Sequence, residues 1–471
     1  MRPLDDLEVS GGSLDPDEDG DDVRLGGLGD GRAVGGLGEP EVRTDSHAGI
    51  VFGRATLVKP PAPPYDPAVH VLFVHKSFAG QFGPFLARSL GRRGLRFTFA
   101  TDDPAARAHA GLEIVRYRFP EERVRTAGTP VEPFERAHLR AEAVRRALAA
   151  RPRIRPDLVV GHSGFGSTLY LRDLYDAPIV NYFEWYHTEG AGTLGGRPEF
   201  RPSESTHRAA EAARAVVLRD LEACDAGWSP TEWQRSLLPA ASRDKIRAIH
   251  DGIETDVWRP APPARRIAGR AIPPSAKVVT FVSRTLEMIR GFDVFVRVAR
   301  RIARRRRDVL FVCVGTDDCI YGPDRRLHGG RTLVASLGRR GLLPPGRFLF
   351  PGWVGPEELR AILSRSDLHV HPTAPFFLSW SILDAMACGA PILASRTPVL
   401  SEVIRNGRDG LLRDLDDEAG LAEAALRLLA RPAEARALGR SAVRRIRARY
   451  DVARTAPRLM RLFRETLRRS G

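Results

Sequence analysis

The sequence predicts an α/β fold in which two doubly wound, Rossmann-like units follow one another along the chain. Short, continuous apolar runs alternate with helical patterns, and this alternation occurs twice. A charged connection that contains Pro and Gly separates the two series at 245–260. Continuous apolar strands between helices are typical of a parallel sheet that is covered on both faces. Two such series joined by one linker therefore predict two Rossmann-like domains.

The first series contains four predicted strands and four helical patterns. The strands are 69–78, 95–103, 157–162 and 177–183. The helical patterns are 82–93, 133–150, 166–174 and 204–223. The Pro and Gly content of the segment that follows, 245–260, is typical of a connection between domains.

The second series repeats the pattern and ends in helices. Its predicted strands are 277–284, 308–315, 347–354, 367–372 and 390–395. Its predicted helices are 291–305, 356–365, 379–388 and an almost wholly helical end over 418–468. We therefore expect an N-terminal domain over 69–255, a C-terminal domain over 256–450, and a last helix over 451–471 that packs back on the N-terminal domain.

Length and cysteine content exclude several classes of protein. The chain of 471 residues has four cysteines and no Cys-x-x-Cys pair, so neither a disulfide scaffold nor a structural zinc site is expected. No apolar run approaches the roughly 18 residues that a bilayer-spanning helix needs. The N-terminus lacks a basic region followed by an apolar one, so a secretion signal is not indicated. We expect a cytoplasmic, multidomain protein.

The formal net charge of +15 conceals an uneven distribution along the chain. Residues 1–45 carry 13 acids and four Arg, a net charge of −9, so residues 46–471 carry +24. The acidic, Gly-rich composition of 1–45 predicts disorder, because too little apolar surface is available to offset the ordering entropy. A Pro-rich lead-in follows, and we place all of 1–68 outside the folded domains.

The basic body raises the question of an anionic partner. The basic residues are 69 Arg and four Lys, a pattern typical of Arg replacing Lys on solvated faces. No nucleic-acid-binding module is recognisable, so nucleic acid is not an expected partner. The helical pattern 82–93 combines apolar and basic residues. A core helix with a solvated basic face is the favoured interpretation, and peripheral contact with an anionic membrane surface is the alternative.

The segment 365–412 is the strongest candidate for a ligand site. Its strand runs into a turn and then a helix, and the first free N–H groups there, near Phe377, Leu378 and Ser379, form an anion site. Asp384 follows on the same face, where its carboxylate can accept a hydrogen bond from a hydroxyl such as that of a ribose. A well-packed strand–helix–strand unit without a ligand is the alternative, and composition favours neither.

These residues resemble the nucleotide-binding signature of family-4 glycosyltransferases of GT-B fold. The matching positions are Asp384, Ala385–Pro391, Glu402, Ile404, Gly407 and Gly410. More narrowly, Pro375–Met386 resembles a bacterial subgroup with the pattern PF-x-LSWS-x-L-acid-AMA. Further segments that agree with the subgroup are 73–82, 161–166, 181–187, 229–234, 249–256 and 281–295. The resemblance covers nearly all of 69–468.

The resemblance implies both a fold and an activity. It implies two Rossmann-like domains that face each other across a cleft, the GT-B arrangement. It also implies transfer of a sugar from a nucleotide-sugar donor to a hydroxyl acceptor, with retention of anomeric configuration, no cofactor and no metal. The acceptor would be a saccharide or a lipid-linked molecule of cell-envelope, exopolysaccharide or glycoconjugate synthesis, met in the cytoplasm or at the inner face of the membrane.

The resemblance also assigns roles to single residues. Arg284 and Arg290 follow the first strand of the second series, where guanidinium groups and helix N–H groups can stabilise a leaving pyrophosphate. A lone Arg in an Arg-rich chain is more often a surface residue, but the strand-end position favours the functional interpretation. The resemblance places His162 near the donor sugar and the acceptor, and Gly80 where backbone approaches the donor phosphates. Glu402 would support the donor site.

Two positions depart from the family pattern. Phe376 stands eight residues before Asp384, where the family has its first Glu, and Asp384 replaces the longer second Glu. The resemblance implies that the first Glu contacts the donor sugar. The narrower subgroup shares the first departure, which argues against simple loss of activity.

A polar cluster follows the predicted strand 177–183. Glu184, Tyr186 and His187 could form an acceptor site, a catalytic acid–base pair or only a solvated loop. The aromatic neighbours make a saccharide-stacking surface as plausible as core packing. The adjacent acids at 102–103 and 317–318 are interpreted as solvated loop residues, so no metal site is assigned.

Two other functions compete with the transferase prediction. A nucleotide-sugar 2-epimerase of the same fold would need acid–base carboxylates around the sugar, and the sequence resembles the transferase pattern better. A catalytically silent subunit that binds a partner transferase is the second alternative, and Phe376 is the residue that supports it.

Overall fold

The structure, a computed structural model, describes residues 69–470. The predicted disordered tail and lead-in over 1–68 lie outside the described residues. The first series forms a parallel sheet in the order β3-β2-β1-β4-β5-β6-β7. Its strands are β1 (Val69–Val74), β2 (Leu95–Thr101), β3 (Leu112–Arg116), β4 (Leu158–His162), β5 (Ile179–Tyr182), β6 (Ala226–Ser229) and β7 (Ile246–Ala248). Its helices are α1 (Gly83–Ser89), α2 (Glu132–Ala149), α3 (Glu204–Ala223) and α4 (Glu232–Leu237).

A short antiparallel hairpin, β8 (Arg266–Ile267) and β9 (Arg270–Ala271), precedes the second sheet. This sheet is also parallel, in the order β12-β11-β10-β13-β14-β15. Its strands are β10 (Lys277–Thr285), β11 (Val309–Thr316), β12 (Phe348–Gly352), β13 (Leu368–His371), β14 (Ile392–Ser395) and β15 (Leu411–Arg413). The remaining helices are α5 (Phe292–Arg305), α6 (Asp324–Leu327), α7 (Leu333–Arg339), α8 (Pro356–Arg365), α9 (Trp380–Ala387), α10 (Pro398–Val403), α11 (Glu418–Ala430), α12 (Pro432–Arg449) and α13 (Val452–Ser470).

Two doubly wound parallel sheets confirm the predicted fold class. The central strands are buried along almost their whole length, as their continuous apolar sequences predict. Helix α5 shows how the covering layer forms, because Phe292, Phe295 and Ile302 point into the core while Arg301 stays exposed. The basic residues of such a helix therefore lie on its solvent face and do not disturb the packing of the core.

The sequence prediction was wrong over 166–174, where no α-helix forms. The structure has only a three-residue 3-10 helix at Leu171–Asp173. Thr168 lies buried in this segment and exchanges hydrogen bonds with Asn181 of β5, which holds the chain against the sheet. The short elements β3, β6, β7, β15 and α4 were not predicted, because runs of three to six residues carry little periodicity.

Each sheet has a point where the strand order reverses. In the first sheet β1 pairs with both β2 and β4, and in the second sheet β10 pairs with both β11 and β13. A crevice opens at such a point beyond the carboxyl ends of the strands, and ligands of doubly wound sheets bind there. The segments after β1, β4, β10 and β13 are therefore the places to examine for function.

The last helix returns from the second sheet to the first. Residues Val452 to Phe463 of α13 join the core cluster formed by the strands β1, β2 and β4. The ring of Phe463 lies 5.4 Å from that of Phe85 and 6.0 Å from that of Trp228. In the part of the chain that the structure describes, none of the helices is long and apolar enough to cross a membrane.

We expect Phe463→Ala to destabilise the protein by about 3–5 kcal/mol, because it would leave a cavity among aromatic rings that cannot collapse. Phe463 is only 2% exposed. Urea unfolding followed by circular dichroism measures the change. Phe134→Ala is the matched control, because this ring on α2 is 50% exposed. Equal losses for the two variants would contradict the packing described for α13.

Candidate active site

The edge of the first sheet carries a cluster of polar side chains from three segments. His162 ends β4 and is 3% exposed, and its Nδ1 lies 2.8 Å from the carbonyl oxygen of Ser163. Since a carbonyl only accepts, Nδ1 carries the hydrogen. The other ring nitrogen lies 3.5 Å from Glu184 Oε2, and Gln81 donates to Glu184 Oε1 at 3.0 Å. His162 and Glu184, both predicted from the sequence, are therefore brought together.

Charged side chains at this edge interact with charged side chains of the second domain. Burial lowers the pKa of Lys76 to about 8, helped by the positive charges of Arg140 and Arg284 and opposed by Asp102 and Glu184. Burial would raise the pKa of Glu184, but His162, Gln81 and Arg290 outweigh it, so this pKa lies below its ordinary value. Charged groups of both domains thus lie near enough to affect one another, and we call the region between them the cleft.

Arg290 is the most unusual charge in the cleft. Its side chain is 4% exposed, and neither Nε nor Nη1 has a hydrogen-bond partner in residues 69–470. The guanidinium carbon lies 4.6 to 5.2 Å from the ring centroids of Phe377, Phe376 and Tyr321. Burial lowers the pKa of Arg290. A buried cation with free donors is costly unless an anion meets it.

The turn that carries Arg290 is tightly built. Residues Met288–Arg290 form a 3-10 turn, and Gly291 then opens α5 with a φ of +78°. A Cβ at Gly291 would lie 1.6 Å from the carbonyl oxygen of Pro372, so only glycine allows this approach to the loop after β13. The turn 288–290 therefore packs against the loop that leads from β13 to the start of α9. Arg284, half-buried on β10, lies near the same place and donates to Tyr321 Oη at 3.4 Å.

The start of α9 has the features of an anion and hydroxyl site. Ser379 precedes the helix without capping it through its side chain, so N–H groups of the first turn remain available. Asp384, one turn into the helix, is 9% exposed, and no donor or cation of residues 69–470 bonds its carboxylate. Burial holds the pKa of Asp384 well above its ordinary value. A ligand hydroxyl would satisfy this group.

Phe376 does not stand open to the cleft. Its ring lies 4.9 Å from Trp185, 5.6 Å from Tyr321 and 3.9 Å from Phe377. The residue at the position of the family's first Glu is thus buried in an aromatic cluster that both domains build. It contributes no hydrogen-bond acceptor.

Asp251 joins the two domains at the base of the cleft. Its Oδ2 accepts from Trp380 Nε1 at 2.9 Å and from Tyr182 Oη at 3.2 Å, whereas Oδ1 is buried without a partner in the described residues. Burial raises the pKa of Asp251 to about 7, and the charge of Glu184 adds to the effect. This carboxyl group therefore titrates near neutral pH at the junction between the domains.

The other predicted site residues lie in different surroundings. Gly80, with a φ of +54°, packs where a Cβ would come within 2.7 Å of the His75 ring. Glu402 on α10 accepts from the backbone N–H groups of Glu232 and Trp233 at the start of α4, at 3.0 and 3.1 Å. Its carboxylate thus caps a helix of the first domain and is not brought together with Arg290 and Asp384. The predicted donor roles of Gly80 and Glu402 stay predictions.

Tyr186 and His187 lie beside Glu184 but do not share its contacts. Tyr186 packs against the core cluster below β5. Burial lowers the pKa of His187 to about 4, helped by the charge of Arg214, which also donates to the His187 carbonyl. The ring is therefore neutral at physiological pH. Their acceptor-site assignment stays a prediction.

Sequence reasoning missed Lys76, Asp251 and Gln234 as cleft residues. Gln234 bridges the domains, because its Nε2 donates to the Glu184 carbonyl and its Oε1 accepts from Leu378 N at 3.3 Å. All three lie within segments that carry the family resemblance. Lys76 had a usable signal, since it is one of only four lysines and follows a strand at its carboxyl end.

One group of side chains has the composition of a metal site. Ligand atoms of Glu287, Cys319 and Asp324 lie within 4.8 Å of one another. However, the N–H groups of residues 320–322 donate to Glu287 Oε2 at 2.8 to 3.3 Å, and Met288 N donates to Asp324 Oδ1 at 2.8 Å. N–H donors aimed at these oxygens oppose a cation, so we interpret the group as a clamp that holds the loop of Tyr321.

Two doubly wound domains, with an unpaired arginine beyond one sheet and His162 near Glu184 beyond the other, match the architecture of GT-B glycosyltransferases. Residues 93–258 match the profile described as "Glycosyl transferase family 4 group", and residues 276–431 match "Glycosyl transferases group 1". The chain belongs to the family-4 glycosyltransferases, as the sequence predicted.

Several relatives share much of the chain. A D-inositol 3-phosphate glycosyltransferase of Saccharomonospora viridis is 27% identical over 406 residues, which cover 81% of this chain and 87% of that protein. An alpha-maltose-1-phosphate synthase of Mycobacterium tuberculosis is 31% identical over 239 residues, 49% of this chain and 59% of that protein. The alignment with the second relative thus covers only about half of this chain.

Solved structures confirm the GT-B fold. A sucrose-phosphate synthase from Thermosynechococcus elongatus superposes with a TM-score of 0.63 at 20% identity, covering 84% of this chain and 98% of that one. Anabaena HepE in complex with UDP and glucose gives a TM-score of 0.58 at 16% identity, covering 84% of this chain and 100% of that one. At these identities the likeness concerns the fold alone.

We expect Asp251→Asn to remove a pH-dependent contribution to stability. The unfolded carboxyl group titrates near 3.8 and the folded one near 7. Between these values the folded state holds a proton that the unfolded state releases, so this contribution falls as pH rises. Urea unfolding between about pH 4 and 8 should show that the wild-type stability minus the variant stability decreases with pH.

The matched control for this prediction is Asp256→Asn, because Asp256 lies in the same segment and is exposed. It should leave the pH slope of the wild type in place. Parallel pH profiles for the wild type and Asp251→Asn would show that Asp251 does not hold a proton in the folded protein.

Proposed function

We propose that the protein is a retaining glycosyltransferase that takes a sugar from a nucleoside diphosphate donor and gives it to a hydroxyl acceptor. Arg290 carries the proposal, because a buried guanidinium with free donors at the edge of a doubly wound sheet calls for a multiply charged anion. A nucleoside diphosphate sugar supplies such an anion next to the bond that breaks. UDP is the first nucleotide to test, since HepE of the same fold was crystallised with UDP.

The donor would lie along the edge of the second sheet. Arg290, Arg284 and the first N–H groups of α9 would hold the diphosphate, and an oxygen of the buried carboxyl group of Asp384 would accept from a ribose hydroxyl. As the bond between the anomeric carbon and the diphosphate breaks, negative charge develops on the leaving oxygen. Fixed positive groups in a site shielded from water stabilise that charge without reorganising.

The acceptor would approach from the first domain. The donor sugar leaves its diphosphate and is attacked on the same face, so the departing phosphate oxygen can take the proton of the acceptor hydroxyl. No protein nucleophile is needed for this route. His162 and Glu184 would orient hydroxyl groups at this point, since their contact lies at the carboxyl end of β4. Lys76 adds positive charge opposite Arg284.

The competing functions lack a comparable observation. A 2-epimerase would need carboxylates arranged around the sugar for acid–base chemistry, whereas Glu184 accepts a hydrogen bond from Gln81 and lies 3.5 Å from His162. The silent-subunit alternative rested on Phe376, and this ring packs in an interdomain cluster beside an intact arginine site. The envelope or exopolysaccharide acceptor remains an expectation from the resemblance. The cytoplasmic location and the contact with an anionic membrane remain expectations from composition and charge.

Incubation of the purified protein with UDP-, GDP-, ADP- and dTDP-sugars tests the proposal. Release of free nucleotide with transfer to an added saccharide supports a transferase. Interconversion of the sugar without release of nucleotide would point to the epimerase instead. The anomeric proton coupling of the product, measured by NMR, decides whether configuration is retained, and an inverted product would refute the same-face mechanism.

Arg290→Ala should lower kcat/KM for the donor by about 10²–10³-fold, because one preorganised donor group to the leaving phosphate is lost. Arg284→Ala should lower it too, but less, since Arg284 is more exposed. Initial-rate kinetics with the active donor measure both effects. Arg301→Ala on the outer face of α5 is the matched control and should retain wild-type rates. Unchanged rates in the Arg290 variant would remove this residue from the mechanism.

A further inference from the structure

A segment of the first domain crosses the cleft and inserts into the second domain. Residues 185–200, which we call the cross-cleft arm, lie between β5 and α3. The ring of Trp185 meets that of Phe376 edge to face, and Gly192 N donates to the Pro375 carbonyl at 2.8 Å. At the far end Phe200 is buried in the core cluster of the second sheet. The arm is thus built into the domain that carries Arg290.

The strongest polar contact of the arm is made by Arg197. Its side chain is 2% exposed, and it donates to both carboxylate oxygens of Asp293, at 2.7 and 2.8 Å. Burial would raise the pKa of Asp293, but the hydrogen bonds and charge of Arg197 and the charge of Arg297 hold it below its ordinary value. A buried bidentate pair of this kind is geometrically demanding, because a shifted Arg197 would lose both of its bonds to Asp293, which would keep only the bond from Arg297 at 2.9 Å.

Arg197 contacts the backbone of the turn that presents Arg290 as well. Its Nη1 also donates to the Met288 carbonyl at 2.8 Å. Met288 begins the 3-10 turn, and Asp293 lies in the first turn of α5, so one guanidinium spans both ends of the segment that contains Arg290. The loop after β13 holds the other side, since Thr373 and Ala374 donate to the Ile289 carbonyl at 3.1 Å.

Within the described part of the chain, Arg290 has no carboxylate that pairs with it and fixes its direction. Ring faces surround its guanidinium, but they constrain its direction weakly compared with a bidentate ion pair. Its direction therefore depends on the backbone of the turn 288–293. That backbone is held from the first domain by Arg197.

We propose that Arg197 is a positioning residue for the donor diphosphate. By fixing the turn 288–293 from across the cleft, it aims Arg290 at the phosphate next to the sugar. Phe376 would contribute to the same positioning, because its ring contacts Trp185 and so anchors the cross-cleft arm. The inference rests on the proposed function and adds a requirement: the diphosphate site of the second domain is complete only with a side chain of the first.

The test compares the affinities of a nucleoside diphosphate and its monophosphate. Calorimetry on the full-length protein is carried out with the pairs UDP and UMP, GDP and GMP, and ADP and AMP, and the tightest pair is used. In this proposal Arg290 binds the second phosphate, so the ratio of diphosphate affinity to monophosphate affinity measures how well the Arg290 guanidinium is oriented. A general loss of stability would weaken both nucleotides and leave the ratio in place.

Arg197→Ala should reduce the preference for the diphosphate by about tenfold or more, while the monophosphate affinity changes less than about threefold. Arg197→Lys keeps the charge without the fork of donors and should restore the preference only in part. Asp293→Asn is the second variant if Arg197→Ala does not fold, and it should also reduce the ratio. Arg326→Ala is the matched control, since Arg326 donates to the Phe200 carbonyl of the arm and does not touch the turn.

The outcomes separate this inference from the proposed function. A wild type that prefers the diphosphate, with unchanged ratios in the Arg197 and Asp293 variants, would overturn the positioning role alone. A wild type that binds none of these nucleotides, or binds them without regard to the second phosphate, would overturn the proposed function and the inference together. An equal loss of preference in Arg326→Ala would assign the effect to the arm as a whole and overturn the specific role of Arg197.

Discussion

The cleft depends on a buried positive charge that has no carboxylate partner among residues 69–470. The guanidinium of Arg290 is held between aromatic faces at the edge of the second sheet, and two of its nitrogens lack partners among residues 69–470. Such a group destabilises the unliganded protein, because desolvation is not offset by an ion pair. The neighbouring features hold the Arg290 side chain in its place. Gly291 lets the turn close on Pro372, Tyr321 is held by the Glu287 clamp, and the proposed diphosphate would supply the missing partner.

The parts of the fold that sequence reasoning recovered are those with local periodicity. Helix α3 begins and ends at the predicted residues, and the strands β1 and β10 are recognisable as continuous apolar runs. Strand β6 was missed because the sequence Ala-Gly-Trp-Ser has no β-branched residue and no alternation. The 166–174 segment was misassigned because its helical spacing is local, whereas the hydrogen bonds of Thr168 to β5 are not.

The positions of site residues could be predicted where they follow from the topology, whereas their roles stay predictions. His162 ends β4, Arg284 lies near the end of β10 and Arg290 lies in the turn after it, so the strand pattern predicted positions at the carboxyl ends of the sheets, and the resemblance supplied the roles. Asp251 and Gln234 could not be found in this way, since their importance comes from partners more than a hundred residues away. Glu402 is a case in which the motif was visible but the contact was not. It lies in the segment that matches the family, yet its carboxylate accepts from the N–H groups at the start of α4 in the other domain, a contact that motif spacing does not predict.

Phe376 illustrates why a departure from a family pattern is best interpreted through its contacts. A Phe in place of an acid removes a hydrogen-bond acceptor, which from the sequence alone is compatible with lost activity. In the structure the ring packs against Trp185 of the cross-cleft arm and lies over Arg290. The ring contributes no hydrogen-bond acceptor, lies 5.1 Å from the guanidinium carbon of Arg290 and ties the two domains together beside it. The substitution thus exchanges a polar side chain for an interdomain contact, and this contact accounts for the Phe without requiring a loss of the donor site proposed above.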